Sequence, residues 1–482
     1  MDAIREPINP NSHQLNEISF LIRLMDAILE PINPNSYWLN EISFLIRLMV
    51  AIREPINPNS YWLNEISFLI RLMVAIREPI NPNSYWLNEI SFLIRLMVAI
   101  REPINPNSYW LNEPRLIKAA GYPVERHKAI TDDGYILQLY RIPGGRRYNQ
   151  TLDNYSRRDK KPVLFVHGLF GCSSNFILMG PGKSLGYILA DTGYDVWLGN
   201  LRGTWNTGHL NHSREDPKFW DFSFHENGKY DVPALIDKVL SITGQSKLMY
   251  IGHSMGTTSF FIAMALRPEY NDKVFTSIAL APAVYIDNMK ALAELALKTV
   301  KISNWLRSQG MMSVSWNPGL LNVLTNTLCS IKQSSVNICI QLIQALFGED
   351  YEQVDPDVVP LVLFRLQPAS LRQLDHFGKI AMTGVFTSWE DGMLGLVKPY
   401  NLSNVRVPVS LLYGENDQLT QKSQVMRLAR EFNSTGMLEE VRPGCTWPKF
   451  NHVDFLFAKD VATLFNEPLV KYIQTLFDKY GK

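Results

Sequence analysis

The sequence predicts an α/β protein: a mostly parallel sheet covered by helices on both faces, a helical insertion above it, and a helical repeat in front. Three observations carry that expectation. From residue 114 onward, short apolar strands alternate with helical stretches, the rhythm of strand–helix–strand crossovers. From about 283 to 400 that rhythm lapses into helical sequence rich in Leu, Trp and Phe. Finally, Gly252-His253-Ser254-Met255-Gly256 lies where an apolar strand turns sharply into a helix. Such a bend thrusts a serine hydroxyl clear of a sheet, and glycines on either side leave room for it.

The first 113 residues are a repeat. Met1, Met25, Met49, Met73 and Met97 begin copies of one unit with a period of 24 residues. In each unit a Pro-containing turn leads to an Asn-Ser N-cap, as at Asn59-Ser60, and then to a helix that the next proline stops. Apolar residues lie almost all round that helix, so it must be buried, paired, or laid on lipid. Three readings stand side by side: a small helical stack, an interfacial membrane helix, and a recent duplication or gene-prediction error. The last copy runs into Pro114-Arg-Leu-Ile-Lys118, so the repeats read as multiplied copies of the entry helix that follows them.

Val124–Ile130 and Tyr135–Ile142 read as two strands joined by the Asp132-Asp133-Gly134 turn. A basic loop leads to the buried-type strand Pro162–Val166, which ends in His167-Gly168-Leu169-Phe170-Gly171. A helix near Ser184–Thr192, a strand Tyr194–Leu198 and a helix Val232–Thr243 precede the strand that enters the glycine-flanked serine. Val274–Leu280 and Val409–Tyr413 are further strands, and Leu438–Val441 is the expected last one. The expected organisation is therefore 1–113 repeats, 114–282 first part of the core, 283–400 helical cap, and 401–482 last part of the core.

Bulk composition narrows the partners. In 482 residues, 47 Lys and Arg face 46 Asp and Glu, a net charge of +1. That excludes an electrostatic footprint for nucleic acid. Apolar residues make up 46% and aromatics 11%, enough for a large core and apolar pockets. The four cysteines, Cys172, Cys329, Cys339 and Cys445, are too few for a disulfide scaffold. Cys329 and Cys339 are close enough to bridge a local loop or to be two buried thiols. No apolar run has the length of a transmembrane span. The first residues lack the basic start and apolar middle of a signal peptide. Sequons at Asn149, Asn154, Asn211, Asn401 and Asn433 permit a secretory route.

A serine hydroxyl needs a base, and histidine has the matching pKa. When the nucleophile follows a strand in this way, acid and then base come later in the chain. His376 and His452 are the late histidines. His376 lies inside the expected cap, whereas His452 sits in a loop after the expected last strand, so His452 is the expected base. The acid should leave the strand before it. Asp417 in Gly414-Glu415-Asn416-Asp417 fits, with Glu415 and Asp454 as rivals. Two backbone amides should bind the oxyanion, those of Met255 after the nucleophile and Leu169 after the third strand. His253 reads as structural. This chemistry calls for no metal and no cofactor.

From about Asn112 to its end the chain resembles the acid lipase family of α/β-hydrolases. The resemblance rests on Asp133-Gly-Tyr-Ile-Leu137, His167-Gly-Leu169, Ala190-Asp-Thr-Gly-Tyr-Asp-Val-Trp-Leu-Gly-Asn200, Phe219-Trp-Asp-Phe-Ser-Phe224, Gly252-His-Ser-Met-Gly256 and Asn451-His-Val-Asp-Phe455. It implies the α/β-hydrolase fold, a Ser254–Asp417–His452 triad, oxyanion amides at Leu169 and Met255, and a mobile cap. It further implies neutral-lipid ester substrates met at a lipid–water interface, in a secreted or lysosomal setting. By the same resemblance Cys329 and Cys339 pair in the cap, and Asn401 is a glycosylated position. Met255 stands where this family usually has glutamine. A steryl esterase, an acyltransferase of the same fold, and a catalytically silent lipid- or protein-binding protein are the alternatives.

Overall fold

The computed structural model describes residues 113–147, 160–286, 303, 306–308, 311–314, 338–389 and 395–481. All of them fall within the unit Asn88–Lys482. The 24-residue repeats and Cys329 lie outside the described residues.

Helix α1 (Glu113–Ala119) leads into β1 (Glu125–Ile130) and β2 (Tyr135–Ile142), which pair antiparallel through the Asp132-Asp133-Gly134 turn. Gly134 takes a φ of 94° there, a conformation open to glycine at no steric cost. The chain continues through β3 (Pro162–Val166), α2 (Leu185–Asp191), β4 (Asp195–Gly199) and the two-residue β5 (Gly208–His209). Then follow α3 (Val232–Thr243), β6 (Leu248–His253), α4 (Met255–Leu266) and β7 (Val274–Leu280). The sheet runs β1-β2-β4-β3-β6-β7-β10-β11, where β10 is Val409–Tyr413 and β11 is Leu438–Pro443. From β4 to β11 the strands are parallel, and the β1–β2 edge is antiparallel.

Alternation along the strands builds two cores. Leu164, Val166, Trp197, Tyr250, Ala279 and Leu411 face one side, where α3, α4 and α8 (Lys422–Ser434) pack. Val163, Phe165, Val196, Leu198, Met249, Ile251, Ile278 and Leu412 face the other, covered by α2 and α9 (Glu467–Tyr480). Burial on both faces is why these strands read as continuous apolar runs. Between β7 and β10 the described residues form α5 (Ile338–Phe347), α6 (Val359–Phe364), α7 (Leu371–Thr383) and a two-stranded ribbon, β8 (Ser313–Val314) with β9 (Ala369–Ser370).

Helical structure ahead of α3 extends further than the sequence suggests. It starts at Phe224, behind a capping box between Ser223 and Glu226, and passes through a π-helical stretch, Asn227–Asp231, into α3. Gly228 and Pro233 hide this continuity from propensity. Gly228 is there for close packing: a Cβ would run into Ile262 and lie 2.8 Å from the Ser259 carbonyl oxygen of α4. Gly228→Ala should therefore destabilise by about 1–3 kcal/mol, lowering the melting temperature by several degrees. An unchanged thermal midpoint would contradict this packing.

Candidate active site

Parallel strands deliver their loops to one end of the sheet, and ligands bind outside those carboxyl ends. His167 follows β3, Ser254 follows β6, Asp417 follows β10, and His452 lies in the loop beyond β11.

Ser254 sits at a bend with φ 51° and ψ −120°, a strained conformation for a residue with a side chain. Close packing at both flanking glycines holds the bend. A Cβ on Gly256 would strike the Val166 carbonyl oxygen, and one on Gly252 would lie 2.8 Å from the Gly256 carbonyl carbon. The Ser254 N–H donates to the Leu280 carbonyl (3.0 Å), tying the bend to the end of β7. Tyr250 fixes the far side by donating to the Gly256 carbonyl (2.8 Å).

Asp417 is buried and fully engaged. Its Oδ1 accepts from the N–H groups of Leu419 (2.8 Å) and Thr420 (2.7 Å), and its Oδ2 from the Thr420 hydroxyl (2.6 Å). Oδ2 also accepts from His452 Nδ1 at 2.8 Å. A carboxylate can only accept, so Nδ1 carries the proton and Nε2 keeps its lone pair. That is the tautomer a general base requires. Thr420 was not foreseen, although its place three residues beyond Asp417 is the spacing of a side-chain-capped turn. The rivals are occupied elsewhere. Glu415 is exposed and pairs with Lys422 at 3.0 Å. Asp454 Oδ2 accepts from the Asn451 N–H (2.6 Å). His376 is buried between Ser223 (3.0 Å) and the Thr387 carbonyl (2.8 Å) and stacks on Phe224.

The loop carrying His452 is docked on the serine bend. His253 Nε2 donates to the His452 carbonyl (3.0 Å), and the two rings lie 5.0 Å apart. Burial pushes the His253 pKa down to about 3, so this contact is made by a neutral ring. Phe347, at the end of α5, stacks on the His452 ring at 5.5 Å. Among the described residues, Ser254 Oγ forms no hydrogen bond with His452, the looseness usual at such pairs before substrate is bound.

Met255 opens α4, so its N–H has no partner within the helix, and Leu169 N–H donates to no acceptor among the described residues. Gly168 brings the Leu169 loop against Ser254, since a Cβ there would lie 3.0 Å from Ser254 Cβ. The Met255 side chain is buried and accepts from Gln373 Nε2 of α7 at 3.4 Å. Cys172 and Cys445 are free and buried, while Cys339 is disulfide-bonded. No cluster that could hold a metal ion occurs among the described residues.

A buried acid pair supports the base loop. Asp350, just after α5, and Asp454, two residues beyond His452, are buried carboxyls close enough to influence each other's ionisation. Trp447 Nε1 donates to Asp350 Oδ2 at 2.7 Å. Burial raises both pKa values above the ordinary range, opposed at Asp350 by its contacts with Trp447 and Asp454 and reinforced at Asp454 by the Asp350 carboxylate. The pair therefore holds a proton that the unfolded chain would release near pH 4. The associated stability is present at acid pH and is lost as pH rises through the folded pKa values.

Family models match two stretches of the chain: "Partial alpha/beta-hydrolase lipase region" over residues 114–180 and "alpha/beta hydrolase fold" over residues 161–309. Lipase 1 of Drosophila melanogaster is 36% identical over 364 residues, covering 73% of this chain and 76% of the relative. Gastric triacylglycerol lipase of Bos taurus is 35% identical over 369 residues, covering 73% and 89%. The human gastric enzyme is 32% identical over 359 residues, covering 72% and 86%.

The acid pair makes a measurable demand. The melting temperature should fall as pH rises from about 4, and Asp454→Asn, which keeps a hydrogen-bonding group in place, should flatten that fall. Identical pH dependence in the wild type and the variant would show that the pair does not hold the proton.

Proposed function

The chain belongs to the acid lipase family of α/β-hydrolases, and from that premise we propose that Ser254, His452 and Asp417 are the triad with which it hydrolyses carboxylic esters of neutral lipids. The hydrogen bond between His452 Nδ1 and buried Asp417, beside the strained serine bend, carries this reading. His452 Nε2 takes the Ser254 proton as Oγ attacks the ester carbonyl. Asp417 holds the ring in the productive tautomer and stabilises the imidazolium that forms. The tetrahedral oxyanion rests on the N–H groups of Leu169 and Met255, with the positive end of α4 behind it. Collapse expels the alcohol, which takes its proton from His452. A water activated by the same histidine then releases the acid from Ser254.

Acylglycerols are the favoured substrates, because two of the matched relatives are named gastric triacylglycerol lipases; steryl esters are the second choice. Residues 283–400 act as the cap, closed locally by a Cys329–Cys339 bridge, which the disulfide-bonded state of Cys339 supports. Leu342 and Leu346 project from α5 at 60% and 55% exposure, on the helix whose last residue stacks on His452. They suit contact with a lipid–water interface. No helix of the described residues is long and apolar enough to cross a membrane. A secreted or lysosomal location fits the gastric relatives. Asn401 is exposed and suits a glycan.

Ser254→Ala should lower hydrolysis of a long-chain glyceride by at least about 10⁴-fold; substantial residual turnover would remove the assignment. Replacing Leu342 and Leu346 with glutamate should withdraw about 1.5–3 kcal/mol of interfacial burial per leucine. Activity on an emulsion should drop at least tenfold, by order of magnitude, while turnover of a soluble short-chain ester stays within about twofold. Equal losses on both substrates would sink the interfacial role.

A further inference from the structure

We propose that His167 is a positioning residue for the oxyanion hole, holding the Gly168–Leu169 peptide in the orientation that presents the Leu169 N–H to the substrate. The inference rests on the assignment of Leu169 as an oxyanion donor.

His167 is buried, directly after β3, and both of its ring nitrogens are committed. The Leu201 N–H lies 3.1 Å from Nε2, and a backbone N–H can only donate, so Nε2 accepts. The Gly168 carbonyl lies 2.8 Å from Nδ1 and can only accept, so Nδ1–H donates. One neutral tautomer satisfies both bonds. Protonation would set an Nε2–H against the Leu201 N–H, and burial lowers the His167 pKa to about 4.

The bond to Gly168 matters because of peptide geometry. No cis peptide occurs among the described residues, and in a trans unit the C=O of one residue and the N–H of the next point in opposite directions. Pinning the Gly168 carbonyl therefore aims the Leu169 N–H the other way. A second bond, from Gly171 N–H at 3.1 Å, closes the turn Gly168–Gly171 onto the same carbonyl. That turn carries Phe170 at φ 58°, a strained value that the surrounding bonds must hold in place. Phe170 is fixed in turn by the Gln367 N–H donating to its carbonyl (2.9 Å). The other oxyanion amide is aimed in the same way. The Ser254 carbonyl accepts from Thr257 N–H (2.9 Å) and the Thr257 hydroxyl (2.6 Å), so the Met255 N–H points away from both. His167 thus does for Leu169 what Thr257 does for Met255, but through a ring that must stay neutral.

Two substitutions separate orientation from bulk stability. In His167→Asn the amide nitrogen falls near the place of Nδ1 and can still donate to the Gly168 carbonyl. In His167→Gln the terminal amide falls near Nε2, so it can serve Leu201 but not Gly168. The full-length chain and both variants would be assayed on a soluble short-chain aryl ester, with melting temperatures measured in parallel. Loss of a single oxyanion donor lowers kcat by roughly 10²–10³-fold. His167→Gln should lose about 10–100-fold in kcat with KM nearly unchanged, and His167→Asn should retain the larger share. Equal losses that track the melting temperature, or full activity in both, would overturn the proposal. If a variant fails to fold, the wild-type crystal structure with a phosphonate on Ser254 decides. The Gly168 carbonyl should stay on His167 Nδ1 with the phosphoryl oxygen on Leu169 N–H, and a flipped Gly168–Leu169 peptide would overturn the inference. Ser254→Ala is the control: activity surviving there removes the assignment of the site itself, whatever the His167 variants do.

Discussion

The site depends on one close approach, the backbone of Gly256 resting on the carbonyl of Val166 at the end of β3. With no Cβ in the way, α4 begins directly against the neighbouring strand. The bend at Ser254 is then forced into a conformation that a relaxed chain would avoid. The same contact brings the Gly168 loop alongside Ser254. The Gly168 loop and the Ser254 bend are thus placed by one piece of packing between adjacent parallel strands. Side chains contribute chiefly by fixing carbonyls, so that the remaining N–H groups point where negative charge develops.

The histidines around this contact play different parts although they lie close together. His452 is partnered by a buried carboxylate, which turns its Nδ1–H toward Asp417. His253 and His167 have no such partner, and burial holds both neutral well into the acid range. Their hydrogen bonds are therefore insensitive to acid that would protonate an exposed imidazole. The Asp350–Asp454 pair works in the same direction, because burial raises both carboxyl pKa values and so favours their neutral forms in acid. The loops carrying His452 and Leu169 are thus each braced by contacts that burial protects from mild acid.

Much of this was legible in the sequence. The parallel strands announce themselves because both faces are buried, and Tyr135–Ile142, Pro162–Val166, Val274–Leu280 and Val409–Tyr413 have the expected bounds. The serine bend was legible because its glycines have a steric cause. The choice of Asp417 over Glu415 and Asp454 came from strand order, and the structure gives each rival other partners. What escaped notice depends on contacts far apart in sequence. The Asp350–Asp454 pair joins residues in separate segments, and Gln373 reaches Met255 from α7. The π-helical stretch before α3 was hidden by Gly228, whose reason is a helix that follows later in the chain. The ribbon of β8 and β9 is too short to leave a periodic signal.

The central claim is that the strained serine between Gly252 and Gly256 is the nucleophile, activated by the histidine 198 residues further along (452 − 254). The most direct measurement is reaction of the folded, full-length protein with a serine-directed fluorophosphonate, followed by peptide mapping of the adduct. The account predicts a single stoichiometric adduct on Ser254, lost when the protein is unfolded before exposure. Folded protein that stays unlabelled, or that carries the adduct on another serine, would contradict it.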